Sequence, residues 1–327
     1  MDLAGIDVSA ETLVVKVERS GKQELLEFEN TGAGHQKLIA LLCKRRRSAR
    51  VCLEATGIYG LDLALALHAA PRIEVMVANP RATKKFAEAS LQRGKSDALD
   101  AGAILEYVRR MPFVPWAAPA PEALELRSIS RRIEGLVKMQ TQEKNRLHAA
   151  MQSSALPVAV REDVEESIAA LDDRIQRLRR QAVLLLRAHP RLSRAFDQLQ
   201  SVRGIADAAA IQILAELLVL PEDMTARQWV AHAGLDPRQK QSGTSLHARP
   251  RISKAGNKHL RRALFMPALV AAQWEPQVRA FYQHLLANGK TKMQANIAVM
   301  RKLLHAIYGM LRHGDDFCGV KFYALIT

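Results

Sequence analysis

Four carboxylates carry the first chemical signal in this sequence. Asp7 sits inside the apolar run GIDV, Glu54 closes VCLE, and Asp97 and Asp100 lie three apart in SDALDA. On a strand, Asp7 points to the face opposite its apolar neighbours Ile6 and Val8. A carboxylate where a sheet wants an apolar side chain is costly unless it is paired, protonated or bound to a cation. On a helix, Asp97 and Asp100 share one face. Oxygen-only ligands suit Mg²⁺ or Mn²⁺, and two such ions about 4 Å apart are a device of phosphodiester chemistry. Singly, each acid has a plain explanation: Asp7 caps a turn, Glu54 pairs with Arg50, Asp97 caps a helix. Jointly, on two strands and one helix, they predict a metal site. Arg81, Lys84, Lys85, Arg93 and Lys95 lie between the acids and fit a phosphate backbone.

The second signal is a basic stretch, RQKQSGTSLHARPRISKAGNKHLRR. It holds eight Lys or Arg and no Asp or Glu: Arg238, Lys240, Arg249, Arg251, Lys254, Lys258, Arg261 and Arg262. Gly243, Pro250 and Gly256 break any periodicity, so a loop is expected ahead of a helix starting near Asn257. Backbone N–H groups at such a helix start favour phosphate. The stretch also holds Ser242, Thr244, Ser245 and Ser253. A serine there is either a turn former and phosphate donor or a nucleophile activated by a base or metal. Side-chain chemistry alone does not separate these hydroxyls.

The elements that must position these groups follow from periodicity. Leu3–Val8 and Thr12–Glu18 predict a hairpin, with Lys22–Glu29 a third strand. His35–Cys43 is helical, Arg50–Ala55 a strand, Leu61–Ala69 a helix and Ile73–Ala78 a strand. Helices over Ala82–Gln92 and Ser96–Arg109 complete a mixed-sheet α/β order. The Pro- and Ala-rich MPFVPWAAPAPE is a linker. Leu124–Gln152 and Glu162–Arg187 are long helical patterns, read as a coiled coil for dimerisation. From Pro190 onward the pattern is helical: Leu192–Gln200, Ala206–Leu218, Ala226–Ala233, Lys258–Gln273, Val278–Leu286 and Lys292–Arg312. Trp229, Phe265, Met266 and Trp274 fall at core-like helical spacing. The expected architecture is α/β plus all-α, with domains 1–115, 116–190 and 191–327.

Composition narrows the function class. The 327 residues carry 48 Lys plus Arg against 33 Asp plus Glu, a net charge of +15. That balance points to a polyanion and away from an ordinary small-molecule enzyme. Apolar residues at 48% are enough to build real cores, which excludes a disordered tail protein. No apolar run reaches the roughly 18 residues of a membrane span, so no membrane partner is expected. MDLAGIDVSAE lacks the marks of a signal peptide, and three cysteines without CxxC spacing fit a reducing cytosol. No phosphate-loop or dinucleotide glycine fingerprint is present, so neither ATP nor NAD is expected.

GIDVS, LEATGIY and NPRATKKFAEASLQRGKSDALDA together resemble the DEDD domain of bacterial insertion-sequence transposases of the "IS one-ten" family, which is similar to the Holliday-junction resolvase version of the ribonuclease H fold. AGLDPRQKQSGTS and RPRISKAGNKHLRRALFMPAL resemble that family's helical C-terminal transposase domain. The resemblance implies an acidic tetrad at Asp7, Glu54, Asp97 and Asp100, holding Mg²⁺ or Mn²⁺. It also implies a catalytic serine at Ser242, the start of the Ser-Gly-Thr-Ser motif, linked to DNA as a 5′-phosphoserine. QSVRGIADAAAIQILAEL resembles a helix-hairpin-helix element, although Ala206 stands where the family pattern has a second glycine, which weakens close phosphate approach there. The implied partners are donor and target DNA, a structured non-coding bridge RNA, and further copies of the chain as homodimer or homotetramer. The implied location is the bacterial cytoplasm, with the nucleoid. The alternative is a metal-dependent Holliday-junction-type endonuclease that cleaves without a covalent intermediate.

Overall fold

The computed structural model describes residues 1–55, 57, 59–90, 94, 96–152, 156–242 and 246–324, with the backbone alone at 239–242 and 246–250. The chain divides into two compact units, Met1–Ala118 and Pro119–Thr327.

The first unit runs β1 (Asp2–Val8), β2 (Thr12–Arg19), β3 (Lys22–Glu29), α1 (Gly32–Leu42), β4 (Ala49–Glu54), α2 (Leu61–Ala69), β5 (Ile73–Ala78), α3 (Pro80–Ala89) and α4 (Asp97–Arg110). Its sheet has the order β3-β2-β1-β4-β5. The first three strands form an antiparallel meander, while β1, β4 and β5 pair in parallel. This is the ribonuclease H-type order and strand sense. Side-chain alternation divides the sheet between two layers. Ala4, Ile6, Leu13, Val15, Val51 and Leu53 pack with Leu38, Leu42, Leu63 and Leu67 of α1 and α2. Cys52 and Met76 pack on the other face with Ile104, Leu105 and Val108 of α4. The odd positions of β1 therefore belong to the α4 face. One of them, Gly5, lets α4 come close: a Cβ there would lie 2.2 Å from the Leu105 amide nitrogen and 2.5 Å from the Ala101 carbonyl oxygen.

The second unit comprises α5 (Pro121–Ala150), α6 (Val158–Ala188), α7 (Pro190–Gln200), α8 (Asp207–Leu217), α9 (Ala226–His232), β6 (Pro237–Ser242), β7 (Leu246–Ile252), α10 (Lys258–Ala263), α11 (Phe265–Trp274), α12 (Pro276–Ala287), α13 (Lys292–His313) and α14 (Gly319–Phe322). Helices α5 and α6 pack on each other through Ile133, Leu136, Leu171 and Ile175. Leu126, Ala182 and Leu186 enter the same core as α7, α8, α11 and α13, so these long helices share a unit with the C-terminal ones. Among the described residues no helix is long and apolar enough to cross a membrane.

Three expectations need correction. The stretch before α10 is not a plain loop: β6 and β7 form an antiparallel hairpin with an irregularity between Arg238 and Lys240. Its side chains alternate among polar types, so the apolar period that marks a strand is missing. The single helix expected over Lys258–Gln273 breaks at Leu264, because Pro267 has no N–H for the carbonyl four residues back. Met266 and Trp274 are not core: they are 60% and 54% exposed, whereas Trp229 and Phe265 pack against the core.

Candidate active site

Register brings the first two acids together. Ile6 pairs with Leu53 in the parallel β1–β4 ladder, so one residue further Asp7 and Glu54 stand side by side on the α4 face. Helix α4 begins on that face with Asp97 in its first position and Asp100 in its first turn, capped by the Ser96 hydroxyl accepting from the Leu99 amide. Its N-terminal dipole favours negative charge there. Burial pushes the Asp7 carboxyl above the ordinary aspartate range, and the charges of Asp100, Asp97 and Glu54 push it the same way. Among the described residues none of the four is in an ion pair.

The plain explanations for each acid do not hold. Arg50 pairs with Glu74 at 2.6 Å, not with Glu54. Ser96, not Asp97, caps α4. The turn after β1 is closed by Ser9 and Thr12, not Asp7. Charge and donor chemistry fit a hard divalent cation: oxygen ligands only, half-buried, with no described counter-ion. Among the described residues, however, no three Asp, Glu, His or Cys side chains close into a ligand set.

Residues without a motif support this site. Buried Thr83 of α3 donates its hydroxyl to Glu54. Asn30 donates to the carbonyls of Ser9 at 2.8 Å and Tyr59 at 3.1 Å, tying the loops that follow β1 and β4. Its side-chain oxygen lies 2.8 Å from His35 Nε2, and burial holds His35 below the ordinary histidine range. Tyr59 is 53% exposed, so its carbonyl rather than its ring is engaged. Arg81, Lys84 and Lys85 are exposed, and Lys85 pairs with Glu88. Arg93 and Lys95 lie outside the described residues.

In the second unit Ser242 ends β6; its backbone alone is described, as for Lys240 and Arg249. Thr244 and Ser245 lie outside the described residues. Ser253 is committed elsewhere: its hydroxyl donates to Asp236 Oδ1 at 2.5 Å and its amide to the Asp236 carbonyl, clasping the hairpin base. Arg238, Arg251, Lys254 and Lys258 are exposed. Arg261 instead donates to the Ala233 carbonyl, and Arg262 to Glu134 at 3.0 Å.

Beneath the hairpin is a polar network that the sequence did not reveal. Glu216 of α8 is 2% exposed and accepts both arms of the Arg131 guanidinium, at 3.0 and 3.1 Å. It also accepts from Asn257 Nδ2 at 2.6 Å. Asn257 Oδ1 caps α10, accepting from the amides of His259 and Leu260. Burial would push the Glu216 carboxyl up, but the bonds from Arg131 and Asn257 outweigh it and hold it below the ordinary range. Glu134 of α5 meets His259 and Arg262 on the same side. Glycine at 256 is required: its φ is +139° and a Cβ would lie 2.2 Å from the His232 carbonyl oxygen.

With this geometry in place, likeness to known proteins is informative. Residues 4–155 match the DEDD family of IS110 described as "Transposase", and residues 197–283 match "Transposase IS116/IS110/IS902 family". A "Pilin gene-inverting protein" of Moraxella bovis is 27% identical over 96% of both chains. Its Moraxella lacunata counterpart is 30% identical over 81% of this chain and 80% of its own. An IS110 insertion-element protein of Streptomyces coelicolor is 35% identical over 46% of this chain and 36% of its own. RuvC of T. thermophilus, solved with a Holliday junction substrate, covers 36% of this chain and 99% of its own at 19% identity and a TM-score of 0.27. The fold assignment rests on strand order and sense, not on that loose superposition. The acids meet on the α4 face of such a sheet, a basic hairpin precedes α10, and relatives align over nearly the whole length: the chain belongs to the IS110 family of DNA transposases.

Proposed function

We propose that this transposase cleaves and exchanges DNA strands through a covalent 5′-phosphoserine at Ser242, with Asp7, Glu54, Asp97 and Asp100 holding Mg²⁺ or Mn²⁺. The Ser242 oxygen attacks the phosphorus, its proton leaving to a base. The new O–P bond replaces the P–O3′ bond, whose oxygen leaves as a 3′-hydroxyl. A 3′-hydroxyl of the partner strand then attacks the same phosphorus and releases the serine. Each step makes one phosphoester bond and breaks one, so rejoining needs no ATP. A divalent cation on the carboxylates would neutralise phosphate charge and favour the ionised nucleophile. Exposed Arg238, Arg251, Lys254 and Lys258, with Arg81, Lys84 and Lys85, hold the DNA backbone; Lys240, Arg249, Arg93, Lys95, Arg261 and Arg262 extend that set. Strand exchange requires at least two active sites, hence a homodimer or homotetramer. By the family resemblance a structured non-coding RNA pairs with donor and target DNA, with the protein reading backbone geometry. The enzyme works in the cytoplasm, at the nucleoid.

The observation that carries the metal-dependent part of this reading is Asp7: half-buried, level with Glu54, and pushed upward by three neighbouring acids. The same observation also favours a second reading, a metal-dependent junction endonuclease in which Ser242 is only a phosphate contact. A trapping assay separates the two. The full chain is incubated with element-flanking RNA, a suicide DNA substrate and Mg²⁺, then denatured. A protein–DNA adduct lost in both Ser242→Ala and Asp7→Ala supports the serine mechanism. Cleavage without adduct, unaffected by Ser242→Ala, supports the endonuclease.

A further inference from the structure

The second unit contains a cavity of about 710 Å³, remote in sequence from the basic hairpin. It lies between the start of α7, the segment after α8, α9 and the end of α13. Its size is within the range of small-ligand sites. Leu217, Leu220, Leu311 and Trp229 give it an apolar wall, and Arg191, Arg194 and Arg312 line it together with the single carboxylate of Glu222. The indole N–H of Trp229 is buried and has no acceptor among the described residues. Buried donors are nearly always satisfied, so an orphan one on a cavity wall is a feature to be explained. The ring is held edge-on against Tyr308 at 5.0 Å, and Tyr308 in turn lies under the Arg312 guanidinium at 5.5 Å.

We infer that this cavity binds a nucleotide, its base against the Leu–Trp wall and its phosphate on the arginines. Three requirements select that chemistry. The wall needs a flat, largely apolar body. The Trp229 donor needs an acceptor on that body's edge, which ring nitrogens and carbonyls of a base provide. The three guanidiniums, of which Glu222 engages one through a side-chain pair at 2.8 Å, need an anion a few bonds away. A base stacked in a duplex cannot enter such a cavity, whereas an unpaired base turned out of a strand can. A transposase handles strands with unpaired bases, so the site would capture a displaced nucleotide. This inference does not depend on Ser242 or on the acidic site.

The test uses Trp229 as the reporter. Trp116→Phe and Trp274→Phe in the full chain leave it the only tryptophan. Its fluorescence is titrated with dAMP, with a short single-stranded oligonucleotide and with a blunt duplex. Saturable quenching by dAMP and by the single strand, but not by the duplex, is expected. Arg191→Glu, at a side chain 82% exposed, should weaken the dAMP effect at least about tenfold without disturbing the fold. Quenching by dAMP alone assigns the site to a free nucleotide instead of a strand. No quenching by dAMP or the single strand, while anisotropy shows the oligonucleotide bound, overturns the inference. Should the double replacement not fold, hydrogen exchange of the unaltered protein decides: dAMP must slow exchange over residues 190–195 and 217–222, and unchanged exchange overturns the inference equally.

Discussion

The N-terminal unit gathers carboxylates of one sign around Asp7 with no described counter-charge, while the C-terminal unit meets its most deeply buried carboxylate with a guanidinium and an amide. Glu216 is nearly as inaccessible as a core leucine, yet Arg131 and Asn257 saturate it. Asp7 is only half-buried, but each of its charged neighbours raises its carboxyl further. The first arrangement is incomplete without a cation. The second is complete in itself and serves as a scaffold: it fixes Asn257, and through it the start of α10 and the base of the basic hairpin. One region stores unfavourable charge at a reactive centre, the other removes it from beneath a binding surface.

The sharpest way to break this comparison is at Gly5. The acids of α4 reach Asp7 only because the helix backbone lies against that residue. Gly5→Val should therefore cost about 4 kcal/mol or more and separate the acids, since the clash is with backbone that cannot turn aside. Urea unfolding with hydrogen exchange resolved over β1 and α4 measures it. A loss below about 1 kcal/mol would mean that the helix does not approach as described.

Next in size is Arg131→Met. It leaves Glu216 buried with only the Asn257 amide and the His259 charge for compensation. Arg131 is itself 44% exposed, so the loss is discounted to about 2–3 kcal/mol. A double replacement, Arg131→Met with Glu216→Leu, should recover much of it, because the unpaired charge is what costs most. Failure to recover would show that the pair specifies the packing of α5 on α8 rather than only neutralising itself.

The cation itself comes third. Ten times its dissociation constant of Mg²⁺ should stabilise the N-terminal unit by about 1.4 kcal/mol. Asp7→Asn should abolish that gain and, without Mg²⁺, raise the unit's own melting temperature by about 2–5 °C by removing like-charge repulsion. The C-terminal unit should respond to neither change. An Asp7→Asn variant less stable than the parent without Mg²⁺ would contradict the crowded-acid reading.

The fold was legible wherever one face of an element is apolar. α2 and β5 begin and end where periodicity puts them, and the parity of Asp7 and Glu54 follows from alternation once β1 and β4 are strands. The hairpin was hidden because Arg, Gln, Lys and Ser alternate with no apolar member. The support for the site was hidden for a different reason. Thr83, Asn30 and His35 are common polar residues whose partners come from other elements, so only the tertiary fold gives them a role. Asn257 was legible as a helix start, but not its tie to Glu216, which comes from a helix some forty residues earlier.

The smallest expected effect lies at the edge of the Glu216 network. Asn257 Oδ1 is occupied by capping α10, which fixes Nδ2 towards Glu216 and towards His232 Nε2, 3.3 Å away. His232 Nε2 thus accepts, and the ring is neutral with its proton on Nδ1. Burial holds its pKa below the ordinary histidine value, opposed only in part by Glu216. A depressed native value means that the unfolded chain takes the proton first. The contribution is fully present above about pH 6.5 and is lost as pH falls through the native value. Glu216, also depressed, loses its contribution only further down, below about pH 4.3, so the two windows separate. Hydrogen exchange over α9 and α10 between pH 7 and 5, corrected for intrinsic rates, should show falling protection that His232→Gln flattens. The same protection in both proteins would mean that His232 is not the acceptor of the Asn257 amide, and that the network ends at Glu216.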